Sequence, residues 1–89
     1  MPNWSLSFTK ESEKELVNLD SSVRQRVVEK LQWLEENAGL VFHKELSRDL
    51  KGSYKLRVGD WRVVYLLNEK NFGIIVIKID HRSKVYKKK

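Results

Sequence analysis

The chain has 89 residues, with 18 Lys and Arg against 12 Asp and Glu, a net charge of +6, and no cysteine. That length bounds it to one domain, residues 1–89, whose small core would bury roughly 60–65% of its unfolded surface. The missing cysteines exclude a disulfide framework and thiolate chemistry. The longest apolar run, Ile74 to Ile77, is far short of the ~20 residues a membrane span needs. Met1-Pro2-Asn3-Trp4-Ser5 lacks the charged start and apolar run of a signal peptide, so a soluble, cytoplasmic protein with no membrane partner is expected. The charge is unevenly spread. From Lys78 onward, Lys78, Arg82, Lys84, Lys87, Lys88 and Lys89 face a single acid, Asp80, which points to a polyanionic partner, either nucleic acid or an acidic protein.

In chain order, residues 3 to 8 alternate, with Trp4, Leu6 and Phe8 on one face of a short strand. Thr9 is placed to cap a short polar helix over 10–18, anchored by Leu16, with Val17 and Leu19 as further candidates. Asp20-Ser21-Ser22 begins a second helix that runs to about Glu36. Its apolar stripe is Val23, Val27, Leu31 and Leu34, widened by Val28. Gly39 suits a left-handed position at its C-terminal end. Residues 40 to 52 show no clean period, and Lys51-Gly52 reads as a turn. Strands follow at 53–58, 61–67 and 73–80, with turns at Gly59-Asp60 and Asn68-Glu69-Lys70-Asn71. Ile74-Ile75-Val76-Ile77 is apolar on both faces, as a central strand would be. The last ten residues suit a short helix or a tail, with 87–89 able to stay disordered.

Folding the first hairpin about Gly59-Asp60 pairs Val58 with Trp61, Arg57 with Arg62, Leu56 with Val63, Lys55 with Val64 and Tyr54 with Tyr65. One face then carries Tyr54, Leu56, Val58, Trp61, Val63 and Tyr65, the other Lys55, Arg57 and Arg62. The two helices must bury their stripes on one sheet face, and the aromatic and aliphatic set is the natural partner. The order β-α-α-β-β-β gives an α+β fold, two helices on one face of a mainly antiparallel four-stranded sheet. The three cations should lie on the opposite, open face. Arg57 facing Arg62 is a like-charge pair that costs stability, and a bound anion would offset it.

Leu50-Lys51-Gly52-x-Tyr54-Lys55-Leu56-Arg57-Val58-Gly59-Asp60-Trp61-Arg62-Val63-Val64-Tyr65, followed by Asp80-His81-Arg82-x-x-Val85-Tyr86 after two helices, resembles the RelE/ParE superfamily of bacterial and archaeal toxins, most closely its RelE-like branch. The resemblance covers nearly the whole chain. It implies the toxin of a type II toxin–antitoxin system that enters the ribosomal A site and cleaves messenger RNA without metal or cofactor. It also implies an antitoxin partner, and contact with operator DNA only through the antitoxin complex.

Metal-free RNA cleavage uses the neighbouring 2′-hydroxyl as nucleophile. It needs a base, cations for the phosphorane and an acid for the leaving 5′-oxygen. By the resemblance, Arg62 contacts the scissile phosphate, Lys55 stabilises the transition state, and Tyr86 stacks on a base. Arg57 occupies the position where the best-studied members carry a lysine proposed as the base and where many RelE-like sequences, like this one, carry arginine. A guanidinium is effectively never deprotonated, so Arg57 suits phosphate clamping better than proton transfer. His81 and Arg82 close the last strand beside the hairpin, and His81 could act as acid or base. The catalytic candidates are therefore Lys55, Arg57, Arg62, His81, Arg82 and Tyr86. Lys44, Arg48, Lys51, Lys78 and Lys84 are candidate RNA-backbone contacts. His43 is read as a solvated loop residue, and no metal-ligand spacing occurs. Trp61 is read as core. Trp33 lies beside the helix stripe and could form an exposed apolar patch, and all three tryptophans read as core or antitoxin-contact residues rather than base-stacking platforms. Two alternatives share the fold: a ParE-like inhibitor of DNA gyrase, and an inactive module that binds antitoxin and tunes promoter occupancy.

Overall fold

The computed structural model describes residues 4–39 and 52–85. Its elements are β1 (Ser5–Phe8), α1 (Lys10–Val17), α2 (Ser21–Asn37), β2 (Ser53–Val58), β3 (Trp61–Asn68), β4 (Gly73–His81) and the short α3 (Arg82–Val85). The strands form one mixed sheet in the order β1-β4-β3-β2, with β1 parallel to β4 and the other pairs antiparallel. The fold is α+β, as expected.

Local chemistry explains how the chain leaves β1. Thr9 caps α1, its hydroxyl oxygen accepting from the Ser12 N–H at 3.2 Å. Ser12 is fully buried, and its hydroxyl donates to the Val76 carbonyl at 2.7 Å, fastening α1 to β4. β1 covers the outer edge of β4 only as far as the Phe8–Val76 pair. Beyond it, Glu15 of α1 takes over: its carboxylate accepts from the Ile79 N–H at 2.7 Å and pairs with Lys78 at 3.4 Å. The edge strand β1 is engaged in turn by α2, since Glu35 accepts from the Leu6 N–H at 3.1 Å. Side chains thus satisfy backbone donors that no neighbouring strand can reach.

The α2 stripe is buried as its spacing requires: Val27, Leu31 and Leu34 are inaccessible, and Val23 packs against the same cluster. Facing them are Val58, Val63, Tyr65, Ile74, Val76 and Ile79, flanked by Leu6, Phe8, Leu16, Tyr54, Leu56 and Trp61. Each fully buried leucine or isoleucine here contributes about 1.5–3 kcal/mol. The hairpin pairs in the predicted register at all five positions. A bulge then reconciles Val76 with Ile79. Val64 lies opposite Lys78 but Tyr65 lies opposite Val76, so Ile77 is the extra residue and both Val76 and Ile79 turn inward.

Some expectations fail locally. Val17 is exposed, and Leu19 holds the buried position after α1. Gly39 is not left-handed: Ala38 continues in right-handed geometry, and the Asn37 side-chain amide donates to the Trp33 carbonyl at 2.8 Å, engaging the last turn instead. The second hairpin turn lies one residue later than predicted, over 69–72, because Asn68 stays in β3. Phe72 takes a positive φ of 54°, and its ring meets Trp4 edge-on at 5.5 Å.

Candidate functional site

The candidate site is built on the Gly59-Asp60 turn. Gly59 has φ of 60°, a conformation that disfavours side chains, and this lets the turn close in two residues. Closure sets Arg57 directly opposite Arg62, with Lys55 two residues back on the same face. β4 then adds Asp80 opposite Arg62 and Lys78 opposite Val64. At the strand's end, α3 brings Arg82 to the turn: its N–H donates to the Asp60 carbonyl at 2.8 Å, and its Nε stands 3.9 Å from the Asp60 carboxylate. Four of the sequence-predicted residues, Lys55, Arg57, Arg62 and Arg82, therefore converge.

Their charges interact. Burial first, then the Arg62 and Arg57 charges, hold the Lys55 ammonium below the usual lysine pKa. Burial, Arg57 and Arg82 likewise lower Arg62, with Asp60 opposing them. Such a cluster favours an arriving anion, which relieves both desolvation and mutual repulsion.

Arg62 corrects the expectation of an open position. It is only 4% exposed, and its Nη1 donates to the Gly59 and Trp61 carbonyls at 2.8 and 2.9 Å. The guanidinium has folded back over its own turn, so it holds the hairpin as well as the site. Arg57 and Arg82 are the exposed cations. The acid beside Arg62 is engaged elsewhere: Asp80 accepts from the His81 N–H at 2.8 Å and lies 3.8 Å from Lys78. Lys78 is thus paired with both Glu15 and Asp80, whereas Lys84 lies exposed on α3.

His81 closes β4 beside the hairpin, but it pairs with Trp61 and so shares that residue's side of the sheet, not the Arg62 side. Its ring meets Trp61 edge-on at 5.5 Å. Its Nδ1 accepts from the Ser83 N–H at 3.2 Å, which makes it the N-terminal cap of α3 and places the neutral ring's proton on Nε2. Trp61 packs against the core as expected but is only partly buried. His43, Lys44, Arg48, Lys51, Tyr86 and the 87–89 tail lie outside the described residues.

Sequence reasoning missed Arg26. Its guanidinium lies so close over the turn that a methyl group on Gly59 would sit 2.9 Å from Nη2. The one legible signal was its place on α2 a turn before Lys30 and two before Trp33, on a helix that must lie near the hairpin.

The chain matches the family model for the ParE toxin of type II toxin–antitoxin systems over residues 6–86. It is 25% identical over 85 residues to Toxin RelG of Mycobacterium tuberculosis, covering 96% of this chain and 98% of that one. Its fold matches the toxin–antitoxin complex RelBE2 of the same organism (TM-score 0.79, 26% identity, 93% of this chain and 95% of that one). It also matches the isolated Escherichia coli RelE toxin (TM-score 0.75, 26% identity, 93% and 90%). The chain belongs to the ParE toxin family and is a type II toxin–antitoxin toxin of the RelE/ParE superfamily.

Proposed function

We propose that this toxin is a ribosome-dependent endoribonuclease that cleaves messenger RNA in the A site by 2′-hydroxyl attack. The carrying observation is the convergence of Lys55, Arg57, Arg62 and Arg82 around one turn, where burial and mutual repulsion lower the pKa of Lys55 and of Arg62. In this reading the 2′-oxygen gives its proton to Lys55 and bonds to phosphorus, while the bond to the 5′-oxygen breaks and that oxygen takes a proton from water. The products are a 2′,3′-cyclic phosphate and a 5′-hydroxyl. Lys55 is the group best suited to take the 2′ proton, because burial and two neighbouring cations lower its pKa. Arg57 and Arg82 clamp the phosphate, and the Arg62 charge is preorganised by its two carbonyl contacts. His81 acts as a positioning residue, capping α3 on the way to Tyr86. A cognate antitoxin is the partner that would hold the toxin inactive, a reading supported by the RelBE2 neighbour having been solved as a toxin–antitoxin complex. Contact with operator DNA would come only through that complex.

Primer extension on a defined message, with and without programmed ribosomes, tests this reading. Codon-periodic cuts are expected only with ribosomes. Arg57→Ala, at an exposed position, should reduce them about 100- to 1000-fold, the usual cost of one preorganised donor, with the melting temperature retained. An intact message in both conditions would sink the nuclease reading. The second reading, inhibition of DNA gyrase, is favoured by the match to the ParE toxin model. A supercoiling assay run in parallel separates the two.

A further inference from the structure

Arg57 borders two surfaces. It belongs to the cationic cluster through its charge on Lys55 and Arg62, and it also lines a separate open groove of about 400 Å³ at the edge of the sheet. The other walls are Arg26, Glu29, Lys30 and Trp33 of α2, with Val58 and Gly59 of the hairpin. The groove and the cluster are thus continuous around the edge strand β2, joined by one side chain.

Two features prepare this groove for a nucleotide. Trp33 is 43% exposed although it is a large aromatic on a helix whose neighbours Leu31 and Leu34 are buried. Lys30 Nζ lies 4.9 Å from the ring centroid, a cation–π contact that steadies the indole. Arg26 is held against the Gly59 turn, where only the missing Cβ leaves it room. Three cations against one acid, Glu29, give the lining a positive balance, and Glu29 shares a hydrogen bond with Gln25 at 3.4 Å. Exposed aromatic faces beside arginines are the recurring means of holding a single strand.

We propose that this groove is a second subsite for single-stranded RNA, resting on the nuclease reading above: Trp33 stacks one base flanking the cleaved step, Arg26 holds that nucleotide's phosphate, and Arg57, on the reacting phosphate, joins the two sites. The strand then bends around β2 from the reacting phosphodiester to α2, so the toxin grips message on both sides of the hairpin. Trp33, which the sequence suggested for an antitoxin contact, takes an RNA base instead.

The test is anisotropy of a labelled, 2′-O-methylated single-stranded RNA titrated with the purified protein, alongside ribosome-dependent cleavage. Trp33→Ala should weaken RNA binding roughly five- to hundredfold, the range seen when a stacking aromatic is removed, with the melting temperature unchanged. Arg26→Ala should lower the slope of log affinity against log salt by about 0.7, one lost phosphate contact. Wild-type affinity in both variants would overturn the subsite, and loss of cleavage in Arg57→Ala alone would then show the nuclease reading surviving without it. Failure of the wild-type protein both to bind the RNA and to cleave would overturn both. Weakened capture of an acidic peptide in Trp33→Ala, with RNA binding intact, would reassign the groove to a protein partner.

Discussion

At the scale of the residue, Arg62 and Lys55 show how a small basic protein concentrates charge without losing its fold. Arg62 is buried because it is useful twice: its guanidinium engages two carbonyls at the turn, and its charge faces Arg57. Arg62→Ala should therefore lower stability by about 1–3 kcal/mol and, on the proposed nuclease reading, abolish cleavage, measured by urea denaturation beside the cleavage assay. Unchanged stability would mean that the carbonyls are satisfied without it. Lys55 has a different signature. Its protonated form is destabilised in the folded protein, so its titration by NMR of the side chain should fall below the ordinary lysine midpoint. Removing the Arg57 charge removes one repulsive partner, so Arg57→Ala should move that midpoint upward. A midpoint that ignores Arg57 would place the two charges too far apart to act as one site.

Among the elements, α1 has the least obvious role and the clearest test. It has few apolar residues, and the sequence shows Leu16 as its anchor, with Val17 and Leu19 as further candidates. Yet Ser12 and Glu15 make it the cover for the edge of β4 beyond β1. Glu15→Ala leaves the Ile79 N–H without its acceptor and should destabilise by about 1–3 kcal/mol. Lys78→Ala, which removes only the partly exposed ion pairs to Glu15 and Asp80, should cost less than about 1 kcal/mol. Equal losses in the two variants would mean that the ion pair, not the backbone hydrogen bond, fastens α1. These polar contacts explain what the sequence could and could not disclose. Strand alternation and a two-residue turn determine a hairpin's register, so the pairing from Tyr54–Tyr65 to Val58–Trp61 was readable to the residue. The bulge at Ile77 was not, because an apolar run hides which residues turn inward. Arg62 looked open for a related reason: alternation assigns a face, but an arginine long enough to fold back over its turn leaves the solvent again. His81 followed the register of Trp61, which no pattern of charges around it would reveal.

For the molecule as a whole, the sheet separates two environments: an apolar layer under α2, and a cationic end at the turn. Tyr65 belongs to the first. It is 2% exposed, it stacks on Tyr54 at 5.6 Å between ring centroids, and burial with the Tyr54 charge pushes its pKa up to about 12. A raised phenol pKa means that the folded state holds its proton after the unfolded chain has lost it. The stabilisation is complete below the unfolded value near 10 and fades as pH rises through about 12, amounting to about 3 kcal/mol at the limit. Lys55 acts in the opposite sense, since the cost of its buried charge is relieved as it deprotonates below the ordinary lysine range. Wild-type stability against alkaline pH therefore mixes the two, and the Tyr65→Phe variant separates them. Its unfolding free energy should fall less steeply between pH 10 and 12 than that of the wild type, whatever its stability at neutral pH. Parallel curves would show that Tyr65 ionises without opening the core, and that the alkaline limit of this fold lies in the cationic end instead.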